Sequence, residues 1–165
     1  MIVAWTGHRP DLFFDADAAC AVVEQTARDL AHAGRVDRFL VGGQRGVDTW
    51  AAQAAVELRV PFTLILPLEV PEFAAGWPAA DRAALEEQAE RATQVRVVGG
   101  SASQAYTERN RLLAASADLL VAVWTGRAGG GTAETVAFAH QLGTRVHELR
   151  LTASAAPASP GGRGI

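Results

Sequence analysis

The chain has 165 residues, of which 49% are hydrophobic and 20% are charged, and its formal net charge is −3. This length and composition fit one globular domain with a sizeable core. The pI of about 5.8 argues against a dedicated nucleic-acid binder, because such proteins are usually basic. No apolar run approaches the ~20 residues needed to cross a bilayer, so we expect no membrane partner.

Cys20 is the single cysteine, which excludes an intrachain disulfide and favours a reducing, cytoplasmic setting. It lies on the apolar side of a helical pattern, so we expect an inert core residue. The first ten residues become polar too quickly for a signal peptide.

Short apolar runs alternate with helical patterns along the chain. The order is a strand at 2–5, a helix at 15–33, a strand at 36–41, a helix ending at 58, a strand at 62–66, a helix at 79–92 with an acidic, solvated face, a strand at 95–98, a helix at 105–116, a strand at 119–124, a helix at 135–142 and a strand at 146–151. The irregular segment 67–77 is either a lid over a site or a packing surface for a partner.

Most of the predicted strands are continuous apolar runs, which is typical of a parallel sheet covered on both faces. We therefore predict an α/β fold, a single Rossmann-like three-layer α/β/α domain with a mostly parallel central sheet, over residues 1–151. Residues 152–165 are rich in Ala, Ser, Pro and Gly, and we expect a disordered tail there.

The glycine-rich stretch 125–135 lies between a predicted strand and a predicted helix. Glycines let the backbone approach a ligand closely, and the N–H groups of a first helical turn face an anion. This arrangement predicts phosphate binding, although glycine chosen for turn geometry alone would give the same pattern.

Four segments follow strands in the predicted order, at 6–9, 42–48, 106–111 and 126–135. The carboxyl ends of parallel strands meet at one edge of a sheet, so these segments converge on a single predicted ligand site. The first strand lacks the G-x-G-x-x-G dinucleotide fingerprint, and the chain has no Walker A lysine. Neither a standard NAD site nor a P-loop is supported.

Several short motifs resemble the SLOG superfamily, and Thr6-Gly7-His8-Arg9-Pro10 resembles its YpsA-like branch. The others are Gly42-Gly43 with Gly46-Val47-Asp48, Glu108-Arg109-Asn110 and Gly130-Gly131-Thr132. The superfamily includes the LOG phosphoribohydrolases and the DprA DNA-processing proteins. The resemblance covers roughly residues 1–150 and implies a Rossmann-like fold, a homodimer and a nucleotide or ADP-ribose-like ligand.

The predicted site has backbone, hydroxyl and cationic groups that suit a phosphorylated ligand, with Arg109 as a fork donor to phosphate. The expected ligand-binding residues are Thr6, Gly7, His8, Arg9, Gly42, Gly43, Gly46, Arg109, Gly129, Gly130, Gly131 and Thr132. Asp48 is expected to cap the following helix, while Trp5, Trp50 and Trp124 are expected to pack in the core. We expect no metal and no cofactor.

Hydrolysis of an N-ribosidic bond would need a carboxylate beside the ribose, and Glu134 and Glu108 are the candidates, acting with Arg109. The LOG signature places a glutamate three residues after its threonine, whereas Glu134 follows Thr132 by two. One residue rotates a helical side chain by about 100°. The resemblance therefore predicts a Glu134 that points away from the ribose, which argues against hydrolysis.

Three functions remain open. The first is the binding of a nucleotide or nucleotide derivative, such as ADP-ribose or a nucleoside monophosphate, in a cytoplasmic sensor. The second is a LOG-like nucleotide N-glycosidase. The third is DprA-like binding of single-stranded DNA, which the acidic pI and the lack of a basic stripe disfavour.

Overall fold

The computed structural model describes residues 1–154. Six strands form one sheet: β1 (Ile2–Gly7), β2 (Arg38–Val41), β3 (Phe62–Leu66), β4 (Gln94–Val97), β5 (Leu119–Trp124) and β6 (Arg145–Arg150). The helices are α1 (Ala16–His32), α2 (Val47–Leu58), α3 (Val70–Phe73), α4 (Ala79–Arg91), α5 (Ala102–Ala115) and α6 (Gly130–Leu142), and a 3-10 turn spans Pro10–Leu12.

All pairings in the sheet are parallel, and the strand order is β4-β3-β2-β1-β5-β6. The chain runs outward from β1 through β2, β3 and β4, then returns to place β5 on the other side of β1. In open α/β sheets, ligands bind beyond the carboxyl ends of the strands at such a reversal. The predicted Rossmann-like α/β fold is confirmed.

The central strands are apolar because both of their faces are covered. From β1, Val3 and Trp5 join a core with α1 and α2, whereas Ala4 faces a second core with α5 and α6. The edge strands β4 and β6 have one uncovered side and carry exposed residues such as Val95 and Arg145. Alternation of side chains along a strand thus supplies both cores of the three-layer domain.

Helix α6 begins five residues earlier than predicted, at Gly130 instead of Thr135. The glycines that suggested a loop form its first turn, and Gly129 at the N-cap has a φ of +82°. At the opposite end Gly143 adopts the left-handed C-cap that glycine favours. Among residues 1–154, no helix is long and apolar enough to cross a membrane.

The segment 67–77 packs into the domain and contributes no residue to the wall of the large cavity at the sheet edge. Leu68, Phe73 and Ala74 are buried, and the ring of Trp77 packs edge-on against Phe73 with centroids 5.0 Å apart. Neither a lid nor a partner surface is needed to explain these apolar residues.

Two further expectations need correction. Cys20 is half-buried instead of belonging to the core, and its thiol lies 3.5 Å from Oε1 of Glu24. The predicted tail begins with ordered chain: Ala153 pairs with Phe13 in an antiparallel bridge, and Ser154 N–H donates to the carbonyl of Leu12. The rest of that predicted tail, 155–165, lies outside the described residues.

Candidate functional site

A cavity of about 1050 Å³ opens at the carboxyl edge of the sheet. Its wall combines the end of β1, the start of α2, one face of α5 and the loop that joins β5 to α6. This is the point where the strand order reverses. The sequence-predicted segments at 6–9, 106–111 and 126–135 all contribute to it, as the topology of a parallel sheet requires.

The loop before α6 is the most open part of the cavity wall. Gly126, Gly129 and Gly130 have φ values of +76°, +82° and +83°, a conformation that side chains disfavour. A Cβ atom placed on Gly129 or Gly130 would meet no atom of residues 1–154 within 4 Å. These glycines therefore serve the backbone conformation and leave space in front of the helix, where no side chain caps α6.

His8 connects the end of β1 to this loop. Its Nε2 lies 3.0 Å from Oγ1 of Thr125, and its Nδ1 lies 3.5 Å from Oγ1 of Thr132. Burial lowers the pKa of His8 below its usual 6.5, and the charges of Arg127 and Arg9 lower it further. The imidazole is therefore neutral at pH 7 and acts as a hydrogen-bonding group in the wall.

Two arginines give the cavity rim its positive charge. Arg9 and Arg127 both line the cavity and are exposed. Arg9 lies 3.8 Å from Asp11, which holds it only weakly because both side chains are in water. Such side chains remain available to an anionic ligand.

Arg109 lines the cavity, and two of its nitrogens donate to the protein's own acceptors. The side chain is buried, with Nη1 donating to the carbonyl of Gly42 and Nε donating to Oδ1 of Asn110 at 2.8 Å. The guanidinium carbon lies 5.8 Å from the ring centroid of Tyr106. The Nε and Nη1 donors therefore serve the protein first, and the contact of Arg109 with a phosphate stays a prediction.

Glu134 lines the cavity, contrary to the direction expected from its one-residue offset. Its Oε2 accepts from Asn110 Nδ2 at 2.8 Å, and its Oε1 accepts from Thr107 Oγ1 at 3.1 Å. Both donors belong to α5, which packs beside α6. The neighbouring helix thus determines where this carboxylate points.

Glu108, the other predicted catalytic carboxylate, lies outside the cavity wall. It sits on the exposed side of α5, where Arg111 donates to both of its oxygens at 2.6 and 2.8 Å. That hydrogen bonding lowers the pKa of Glu108. Its place on the helix removes it from the candidate site.

The glycines after β2, Gly42, Gly43 and Gly46, were expected to contact a ligand, but they lie outside the cavity wall. A Cβ on Gly42 would clash with Arg109, and one on Gly43 would lie 2.5 Å from Leu66 Cδ2. On Gly46 it would lie 2.5 Å from the carbonyl oxygen of His8. The protein's own packing requires these glycines.

Asp48 does not cap α2, since Gly46 occupies the N-cap and no side chain caps this helix. Its carboxylate is buried in the cavity wall and accepts from the backbone N–H of Gln44 at 3.0 Å. Burial raises the pKa of Asp48 to about 6, against the opposing charge of Arg109 and nearby backbone N–H groups. The predicted cap is instead an acidic group beneath the cavity.

The predicted aromatic residues pack within the protein. Trp5 is fully buried, and Trp124 is buried with its Nε1 donating to Glu148 at 3.2 Å. Trp50 packs on Phe13 with ring centroids 6.2 Å apart. None of these tryptophans lines the cavity, so base stacking on them is not supported.

Several polar residues of the wall were not predicted as ligand contacts or catalytic groups. Helical spacing could have found Thr107 and Asn110. They follow Ser103 by four and seven residues and therefore share its helix face. The remaining additions are Gln44, Asp48, Ser103, Tyr106 and Arg127. Among residues 1–154, no group of three His, Cys, Asp or Glu side chains could hold a metal ion.

Comparisons with solved structures show the same fold at low sequence identity. DNA processing protein A from Helicobacter pylori, described with a single-stranded DNA binding mode, has a TM-score of 0.68 and 20% identity over 93% of this chain and 68% of its own. DNA processing protein A from Streptococcus pneumoniae has a TM-score of 0.61 and 18% identity, over 88% of this chain and 49% of its own. The molybdenum cofactor carrier protein of Chlamydomonas reinhardtii has a TM-score of 0.62 and 23% identity, over 92% of this chain and 76% of its own.

Comparison with curated protein sequences gives no match. The model of the YspA SLOG family, in contrast, matches residues 3–146, which include every segment of the cavity wall. The match covers most of the chain, in agreement with the resemblance carried by the short motifs. The protein therefore belongs to the YspA SLOG family.

Proposed function

We propose that the protein binds a nucleotide or nucleotide-derived ligand, with a phosphate at the start of α6. The observation that carries this proposal is the open glycine turn. Gly129 and Gly130 face empty space, no side chain caps the helix, and the positive end of the helix dipole points into the cavity. Arg9 and Arg127 supply positive charge at the same rim.

The wall formed by α5 and by Glu134 of α6 suits the ribose part of such a ligand. Glu134, Asn110 and Thr107 offer acceptors and donors for hydroxyl groups, and Tyr106 offers an aromatic face. A second or third phosphate near Glu134 would meet a carboxylate. The arrangement therefore favours a ligand that places a ribose, and not a further phosphate, beside Glu134, as a nucleoside monophosphate or ADP-ribose can do.

A matched pair of glycine variants tests the phosphate position. Gly130→Ala and Gly143→Ala lie at opposite ends of α6, both at positive φ, and both would place Cβ in open space. Each should cost about 1–2 kcal/mol of stability from backbone strain. Only Gly130→Ala should weaken binding of AMP or ADP-ribose, by about tenfold, through a displaced charge-assisted hydrogen bond.

Isothermal titration calorimetry with inorganic phosphate, AMP and ADP-ribose measures this difference. Equal affinities of the two variants would place the phosphate elsewhere. If the wild-type protein bound none of the three compounds, nucleotide binding would be refuted.

A second candidate function is hydrolysis of an N-ribosidic bond, which the cavity position of Glu134 favours. A carboxylate beside the ribose can activate water or stabilise an oxocarbenium-like state. Incubation with nucleoside monophosphates should then release free base, and Glu134→Gln should abolish the release. Ligand binding without released base would leave a binding protein.

Three other properties are proposals from the sequence and family. We infer a homodimer, which light scattering after size-exclusion chromatography tests, and a cytoplasmic location, which cell fractionation tests. We infer weak or absent binding of single-stranded DNA, because the net charge is −3. A gel shift that appears at low salt and fades as salt rises would reverse the last inference.

A further inference from the structure

Helices α5 and α6 meet at one polar contact beside the cavity. Asn110 and Thr107 of α5 each donate to a different oxygen of Glu134 on α6, at 2.8 and 3.1 Å. Asn110 is 3% exposed, whereas Thr107 lies at the cavity surface. The hydrogen bond from Asn110 is thus both shorter than the one from Thr107 and better shielded from water.

The amide of Asn110 can point in only one direction. Its Oδ1 accepts from Arg109 Nε at 2.8 Å, while its Nδ2 donates to Glu134. A flipped amide would set N–H groups against the guanidinium and an oxygen against the carboxylate. The neighbouring charges thus select a single orientation and direct the donor toward Glu134.

Arg109 fixes Asn110 from the other side. The guanidinium is buried, donates to the carbonyl of Gly42 and packs over Tyr106. A cation that donates to an amide oxygen polarises the amide and strengthens its N–H as a donor. A continuous chain of hydrogen bonds therefore runs from the loop after β2 through Arg109 and Asn110 to Glu134.

We propose that Asn110 is a positioning residue that couples the buried Arg109 to Glu134 and holds the Glu134 carboxylate toward the cavity. A carboxylate has about four acceptor sites, and Asn110 and Thr107 occupy two of them. The remaining sites accept hydroxyl or amino donors of a ligand. This inference rests on the proposed function for the identity of that ligand, but the orientation of Glu134 can be tested without it.

A double-mutant cycle tests the coupling through ligand affinity. Asn110→Ala and Glu134→Ala should each weaken ADP-ribose binding by about tenfold, the effect of one lost hydrogen bond to a charged group. The double variant should bind no more weakly than Glu134→Ala, because Asn110 acts through Glu134. Arg111→Ala, the next residue on the exposed side of α5, is the control and should bind like the wild type.

The same cycle without ligand separates this inference from the proposed function. In the apo protein, the Tm losses of the two single variants should not add in the double variant. In the nitrogen–proton NMR spectrum, the side-chain amide signal of Asn110 should move in Glu134→Ala and stay in place in Arg111→Ala. The NMR comparison also decides the matter if Asn110→Ala does not fold.

Additive Tm losses together with an unmoved Asn110 signal would overturn the inference. Multiplied affinity losses in the double variant would overturn it as well, since they would show independent roles. If the wild-type protein binds no ADP-ribose while the Tm and NMR results are as expected, the proposed function fails and the positioning of Glu134 stands.

Discussion

Replacing Asp48 by asparagine should change how the stability of the protein depends on pH. The carboxyl group is buried, and burial raises its pKa from 3.8 to about 6. Well below pH 3.8 it carries a proton in both the folded and the unfolded state. As pH rises toward 6, the unfolded state loses that proton while the folded state keeps it, so rising pH favours unfolding.

The size of the effect follows from the shift. A shift of the pKa from 3.8 to about 6, at 1.36 kcal/mol per unit, corresponds to about 3 kcal/mol in all, of which about 2 kcal/mol of stability is lost between pH 4 and pH 7. Asp48→Asn has no such proton to lose. The free energy of unfolding of the variant relative to the wild type should therefore rise by about this amount over the same range.

Urea unfolding of both proteins at pH 4, 5, 6 and 7 measures the difference between their free energies of unfolding. Contributions from groups that titrate alike in both proteins cancel in this difference. Asp17→Asn, at an exposed position on α1, serves as the control for loss of a carboxylate. Parallel pH profiles for Asp48→Asn and the wild type would refute the reasoning. They would show that Arg109 and the backbone N–H groups compensate the carboxylate fully.

A glycine substitution and the alkylation of a cysteine test the packing of the fold directly. Gly7→Ala should lower the free energy of unfolding by at least about 1–3 kcal/mol in chemical denaturation. The new Cβ would clash with the carbonyl of Val123 and would lie 2.6 Å from Val47 Cβ. An unchanged denaturation midpoint would mean that β1 and β5 can separate at no cost. Burial, helped by Glu24, raises the pKa of Cys20 from 9.0 to about 11, so iodoacetamide at pH 8 should alkylate the folded protein about 100-fold more slowly than the urea-unfolded chain. Equal alkylation rates would contradict a shielded thiol.

The alternation of apolar runs with helical patterns was sufficient to predict the three-layer fold and the sheet edge that holds the cavity. Thr6, His8 and Thr132 meet at that edge because parallel strands all end there. The order of the strands, in contrast, depends on pairings such as β1 with β5 that join distant parts of the chain. One sequence alone does not reveal these pairings.

The glycines after β2 show why local motifs mislead about a site. Gly43 has Leu64, Leu66 and Leu85 around it, and these residues lie 21 or more positions away. The motif looked like a ligand contact because glycine allows close approach, but the approaching groups are the protein's own side chains. The sequence likewise does not show that Arg109 donates to the carbonyl of Gly42, which is 67 residues away.

The two ends of the described chain lie at different edges of the sheet, Met1 at the amino end of β1 and Ser154 near the carboxyl edge that holds the cavity. Met1 precedes β1 and its amino group pairs with the exposed Asp37, whereas Ser154 is hydrogen-bonded to Leu12 in the cavity wall. A surface tether or fused reporter attached before Met1 would therefore leave the cavity accessible. In a chain shortened to end at Ser154, the same attachment would begin beside a residue of the cavity wall, so the two ends differ in how close a tether comes to the site.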